Sequence, residues 1–310
     1  MHTSRLLLAA LSVHVAVGCA PAVDEEVQAV DLRAEDPGAF DPALGFQLEG
    51  PEFRLEPGEE KMICWVPDFA RDGDLRIAKF QGIQSEVGHH VVAMRSQRPR
   101  EPGSSFDCTN IAQMAELAPL VLPDPAPGVS FLPEGFFIKL AAADSIVIQS
   151  HYVNYTTDPI IVRDFARFFV ADDNADLVEA SYLIVNRASF RIEPGTHSVT
   201  TACTIDADTN ILATLGHMHE HGRSFRFDRL TPTAESLYSV DAWTTDMRDE
   251  PPVTTYDPAT PLALHAGDEL QVTCDYNNTT DHNVSFPEEM CTSVSAYFPA
   301  RGGGLILCEQ

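Results

Sequence analysis

Of the chain's 11 histidines, nine lie beyond the first 18 residues, and their spacing is uneven. They fall as His89-His90, His151, His197, His217-Met218-His219-Glu220-His221, His265 and His282. The isolated His197, His265 and His282 are expected to be surface or satisfied core residues. Clusters differ, because adjacent imidazoles repel when protonated and cost desolvation when buried; a metal is the simplest way to stabilise them. His217 and His219 are two apart, so on a strand both project from one side as two ligands of one ion. His221 could follow on that face, but Gly222 suggests that the strand bends there. His89 and His90 would point to opposite faces of a regular strand. Only an irregular strand end brings both to one ion, and Gly88 permits that.

Several hydrolase families use two histidines at this spacing. Amidohydrolases place them in a βα barrel, and this chain lacks βα alternation. Metallo-β-lactamase-like enzymes need a following Asp-His pair, where this chain has Glu220-His221. A zinc hydrolase therefore fits poorly.

The elements that must position these residues read as strands. Short apolar or alternating runs recur at 75–80, 91–94, 136–140, 146–155, 166–170, 182–185, 210–215, 224–230 and 269–276. The triplets Ile146-Val147-Ile148 and Ile160-Ile161-Val162 favour strands. Pro-Gly turns at 57–58, 102–103, 127–128 and 194–195 punctuate the runs. This predicts an all-β sandwich or barrel, with one short helix or loop ornament at 110–117. The polar stretch 171–176 is the expected domain boundary, and no internal sequence repeat is evident.

With 310 residues the chain is long enough for two domains, each with its own core. A hydrophobic fraction of 44% excludes a disordered acidic protein. The net charge of −26 excludes a nucleic-acid partner and adsorption to anionic membranes through protein charge. Lysines occur only at Lys61, Lys79 and Lys139, an acidic balance that would suit a saline habitat. Sequons at Asn154, Asn277, Asn278 and Asn283 would carry little meaning if the source is bacterial.

Residues 1–18 read as a secretory signal: Arg5 precedes an apolar run from Leu6 to Val17 that is too short for a permanent membrane span. The run ends in Ala16-Val17-Gly18-Cys19, which resembles a bacterial lipoprotein signal with Cys19 lipidated; an ordinary signal peptide cut nearby is the alternative. Either reading predicts export to the cell envelope or beyond, with membrane attachment only through Cys19. Residues 19–45 read as an acidic tether. Lipidation of Cys19 would leave Cys64, Cys108, Cys203, Cys274, Cys291 and Cys308, an even number that suggests three disulfides in an oxidising compartment. The absence of a CxxC pair argues against a zinc ribbon or a thioredoxin-like site.

In chain order, four segments resemble the copper type II, ascorbate-dependent monooxygenases, the family of peptidylglycine α-hydroxylating and dopamine β-monooxygenases. His89-His90-Val91 resembles the family's HHM motif, with Val91 in the Met position. Gln149-Ser150-His151-Tyr152 is similar to its QxHY segment, and His217-Met218-His219 to its HTH segment. Glu289-Met290-Cys291, followed by Tyr297-Phe298-Pro299 and Cys308, is similar to its EMC segment. The segments span 220 residues, from His89 to Cys308.

The resemblance implies two tandem jelly-roll-type β-sandwich domains, near 46–172 and 177–310, with one copper each across a solvent cleft. His89, His90 and His151 would hold an electron-transfer copper, with Gln149 supporting it. His217, His219 and Met290 would hold the catalytic copper, and the soft thioether would favour Cu(I), the state that meets O₂. Ascorbate or another one-electron donor would reduce both, and a small organic substrate would be hydroxylated at an activated C–H. The resemblance also implies the pairings Cys274–Cys291 and Cys203–Cys308, leaving Cys64–Cys108. Peptide-amidating members bind a substrate carboxylate through an Arg before the HTH segment and an Asn and a Tyr after the Met; here Leu215, Thr292 and Val294 stand there. A peptidylglycine substrate is therefore not expected, and the acidic chain repels anions. The competing reading is an exported lipoprotein that binds or buffers copper without turnover. Two chemically different sites favour the oxidoreductase, because storage needs no such asymmetry. A monomer is expected.

Overall fold

The computed structural model describes residues 28–114, 116–122, 124, 130–187, 189–286, 288–301 and 304–309. The signal segment and Cys19 lie outside them. Strands dominate the described chain, with very little helix. Its helical pieces are the single turn Ile111–Met114, at the position expected for a short helix, and the 3-10 turn Thr245–Arg248. No helix among the described residues is long and apolar enough to cross a membrane.

Two β-sandwiches lie in tandem. In the first, a five-stranded sheet runs in the order Ser105–Asp107, Glu60–Trp65, Ser145–Val153, Gly88–Ser96, Leu117–Val121. It packs on Gly45–Glu49, Phe165–Val170, Leu75–Ile83 and Phe136–Leu140. The core between them includes Trp65, Ile77, Phe80, Val91, Ile138, Ile148 and Phe168. Ser145–Val153 is buried on both faces, which fits its apolar run Ile146-Val147-Ile148 and leaves Gln149, Ser150 and His151 as buried polar residues. Its outer face meets a second cluster formed by Cys64, Val66, Met94, Cys108 and Val147.

The second sandwich has a four-stranded sheet in the order Gly195–Thr204, Glu269–Asn278, Gly222–Arg229, Glu235–Val240. Opposite it lie Val178–Asn186, Thr292–Phe298 and Thr209–His217 around Ile211, Phe225, Phe227, Leu270, Val272 and Tyr297. The sandwiches are joined by more than a linker. Val178, Glu179 and Ala180 pair in parallel with Phe136, Phe137 and Ile138, so one ten-stranded sheet runs through both halves. Within the expected tether, Val30–Asp31 pairs with Ile160 and Ile161, and Ala34 is buried. That part of the acidic stretch is docked on the first sandwich.

The three disulfides are Cys64–Cys108, Cys203–Cys308 and Cys274–Cys291, the pairings implied by the resemblance. Such bridges are compatible with an oxidising, extracytoplasmic compartment.

A repeat invisible as sequence similarity emerges in the register. His151 pairs with His90, but Tyr152 pairs with Gly88, leaving His89 as the extra residue of a β-bulge. In the second half Asp275 pairs with Ser224 and Tyr276 with Gly222, leaving Arg223 in the corresponding place. The loops that follow also match. Asn154 accepts from the Thr156 amide and donates to the Leu55 and Asp158 carbonyls. Asn278 likewise accepts from the Thr280 amide and donates to the Ile192 and His282 carbonyls.

Candidate metal centres

The bulge is what turns His89 and His90 toward one place. In a regular strand they would diverge; the extra residue re-aims His89. Gly88 is needed for space, since a Cβ there would come within 2.6 Å of the Gln84 side chain. His151, opposite His90 and 1% exposed, completes the cluster from the neighbouring strand. The ring centroids of His89 and His90 lie 4.9 and 5.0 Å from that of His151.

The outer nitrogens of these rings are held by oxygen partners. His151 Nε2 lies 2.8 Å from Glu60 Oε1, and His90 Nε2 lies 3.3 Å from Gln149 Oε1. The Glu60 carboxylate accepts, so the neutral His151 ring carries its proton on Nε2 and presents a bare Nδ1 inward. The Tyr155 hydroxyl lies 3.2 Å from His89 Nε2. Gln149 thus touches His90 in the supporting place implied for it, and its amide nitrogen reaches Met62 Sδ at 3.4 Å.

At the centre stands a residue that sequence reasoning missed. Asp249, in the second half and directly after the turn Thr245–Arg248, places its carboxylate among the three Nδ1 atoms. The distances are 2.8 Å to His89, 3.1 Å to His90 and 3.5 Å to His151. His89, His151 and Asp249 form a compact group whose donor atoms lie within 4.8 Å of one another. Burial alone would raise the Asp249 pKa, but the three imidazoles around its carboxylate and the charge of Arg248 hold it far below the usual carboxylate range. The His90 pKa is lowered as well, because burial and the neighbouring His151 disfavour its charged form.

The second cluster forms around His217 and His219. His217 ends the strand Thr209–His217, whereas His219 lies in the connection to Gly222–Arg229. The expected shared strand face is therefore not what unites them. Their Nε2 atoms nevertheless lie 3.2 Å apart, with the rings crossed at 81°. His219 Nδ1 donates to the Glu288 carbonyl at 3.2 Å, which leaves its Nε2 bare toward His217. Burial and the partner imidazole push His217 down to about 3, and burial pushes His219 down to about 4. Both rings are neutral near pH 7, the form that binds a metal.

The connection owes its shape to Glu289, a fully buried carboxylate that accepts main-chain N–H groups from His219, His221 and Met290. Burial pushes its pKa up to about 7 against those three donors. Tyr276 donates to the Met290 carbonyl at 2.6 Å, Cys291 is bridged to Cys274, and Thr292 pairs with His217. The Met290 backbone is thereby tied to both histidine segments. Gly222 completes the packing: a Cβ there would come within 2.7 Å of the Trp243 ring.

Arg248 connects the clusters. It contacts Glu60 at 3.4 Å, Glu220 at 3.0 Å and Asp249 at 3.3 Å. Glu60 supports His151, and Glu220 adjoins His219, so the Arg248-Asp249 pair bridges the two clusters where a solvent cleft was expected. Nothing in local spacing marks this pair. His197 is half-buried on its strand, and His265 and His282 pair with Asp208 and Glu288 at the surface.

No protein-family model and no curated protein matches the chain. Similar solved structures include infectious bursal disease virus, Gx strain, at TM-score 0.19 and 8% identity, covering 81% of this chain and 69% of that one. T=1 particles derived from infectious bursal virus match at TM-score 0.21 and 8% identity, covering 88% and 73%. Likeness at these scores carries no argument.

Proposed function

We propose that the chain is an exported copper-dependent monooxygenase that hydroxylates an activated C–H bond of a small organic substrate, using O₂ and a one-electron donor such as ascorbate. The supporting observation is the pair of unlike clusters: three imidazoles converging through Nδ1, and two through Nε2 on a segment whose main chain shares the Glu289 carboxylate with that of Met290. The first set fits a metal ion on its own terms, because the buried His151 Nδ1 has no hydrogen-bond partner. His89, His90 and His151 would hold one copper, and His217, His219 and Met290 the other. When bound, copper supplies one-electron transfer and O₂ activation.

The chain's own residues orient and insulate. Glu60 and the Glu288 carbonyl fix which nitrogen of His151 and of His219 is free, and Gln149 contacts His90. Glu289 holds the His219 and Met290 main chains together, and burial keeps His217 and His219 neutral. Leu215, Thr292 and Val294 offer no cation to a substrate carboxylate, and the charge of −26 disfavours anions, so a neutral or amine substrate is the better fit. The proposed layout keeps the signal at 1–18, a lipid on Cys19, one copper in 46–172, one in 177–310, and a monomeric chain in the cell envelope.

The test is O₂ consumption and product formation by the copper-loaded chain with ascorbate and a panel of phenethylamines and other activated C–H compounds. Two coppers per chain and coupled hydroxylation are expected. Met290→Ala should abolish hydroxylation while leaving copper on His89, His90 and His151. Unchanged product formation in that variant would refute the catalytic assignment. Copper binding without turnover across the panel would favour the buffering lipoprotein.

A further inference from the structure

We propose that Asp249 is itself a ligand of the first centre, supplied from the second sandwich, so that the site is three imidazoles and one carboxylate closed by a divalent transition ion. This rests on the reading above that the His89, His90 and His151 cluster holds a metal.

The convergence of donor atoms carries the inference: His89, His151 and Asp249 each offer an atom within 4.8 Å of the others. Glu60 accepts from Nε2 of His151, so in the neutral ring its buried Nδ1 bears a lone pair and has no hydrogen-bond partner. That lone pair faces Asp249 Oδ1 at 3.5 Å, and His90 Nδ1 lies 3.1 Å from the same oxygen. At His151 acceptor thus faces acceptor, an arrangement that repels unless a cation occupies the space. His151 is 1% exposed, and water cannot relieve the conflict.

The distances suit such a cation. Metal–nitrogen and metal–oxygen bonds of about 2.0–2.2 Å in a tetrahedral site place neighbouring donors roughly 3.3–3.6 Å apart. The Oδ1 contacts to His90 and His151 fall at or just below that range, and the 2.8 Å contact to His89 belongs to the other oxygen, Oδ2. One carboxylate also offsets half the charge of a divalent ion. Its hard oxygen favours Cu(II) or Zn(II) over Cu(I). Because the imidazoles and Asp249 come from different halves, the ion would fasten the two sandwiches together.

The test uses the full chain carrying His217→Ala, which silences the second centre, with and without Asp249→Asn. Cu(II) affinity is measured by competition, and the copper environment by electron paramagnetic resonance. Asp249→Asn should weaken Cu(II) binding roughly 10- to 100-fold, the range seen when groups supporting a metal site are lost. It should also change the copper hyperfine coupling and affect Cu(I) less. Asp249→Glu, which keeps a carboxylate, should retain more affinity than Asp249→Asn; the thermal unfolding of each metal-free variant checks folding. Equal affinity and spectrum would overturn the proposal and leave Asp249 a hydrogen-bond partner only. Tighter binding by Asp249→Asn would also overturn it, making the carboxylate a competitor of the metal. If His217→Ala with Asp249 intact binds no copper, the metal reading of the histidine cluster itself fails.

Discussion

Glu289 Oε1 accepts the main-chain N–H of His219, and the same oxygen accepts that of Met290 at 3.1 Å. One buried carboxylate oxygen therefore sets the spacing between two chain segments that lie about 70 residues apart in the sequence.

Glu289→Gln replaces one acceptor oxygen with a donor, which would face the amides now bonded to the carboxylate. At least one buried N–H loses its partner, at a cost of about 1–3 kcal/mol. The expected outcome is a lower unfolding temperature together with selective loss of copper from the His217 and His219 centre. Calorimetry and copper stoichiometry check it. If both centres keep their copper with unchanged stability, Glu289 is not the brace.

The Cys274–Cys291 bridge anchors the residue after Met290 to the strand Glu269–Asn278. Replacing both cysteines by Ala should cost about 2–4 kcal/mol. Copper content should fall from two toward one, with the first centre retained, as read by metal analysis and paramagnetic resonance. Loss of the first copper instead would contradict the local role assigned to this bridge.

Asp164, behind the His151 strand, offers a pH test on stability. Burial pushes its pKa up to about 6 from the usual 3.8, against hydrogen bonding from Tyr152, Ser150 and Gln84. Between those two values the folded chain holds a proton that the unfolded chain has released, so this group's contribution to stability falls as pH rises through that window. Asp164→Asn should flatten that slope and raise stability at pH 7, on the order of 1–3 kcal/mol. Denaturant unfolding at several pH values measures it; an unaltered slope would count against the shift.

Much of the first centre was legible in the sequence, because a bulge is a local device. An adjacent His pair after a glycine implies irregular backbone, and His89 is the extra residue of such a bulge. The HxH pair was legible as a pair but not in its conformation. His219 leaves the strand because a distant carboxylate, Glu289, offers its amide a partner. Asp249 and Arg248 were not legible at all, since their contacts depend on how two sandwiches meet. Strands were found where apolar residues cluster. Gly195–Thr204, rich in threonine and half exposed, carries no such signal and is held by pairing along Glu269–Asn278. Leu117–Val121 follows the short helix and pairs with Gly88–Ser96, a long-range contact that a local helical reading misses.

The parallel pairing of Val178, Glu179 and Ala180 with Phe136, Phe137 and Ile138 makes the halves inseparable as well as adjacent. Severing the chain near residue 174 would strip Phe136–Leu140 of a neighbour and bare a row of unpaired amides and carbonyls beside an aromatic face, where Phe136 meets Phe298. An edge of that kind recruits other chains. The sandwich that carries His89, His90 and His151, cut free there, is expected to associate through that edge, because the join is a shared sheet as well as a linker.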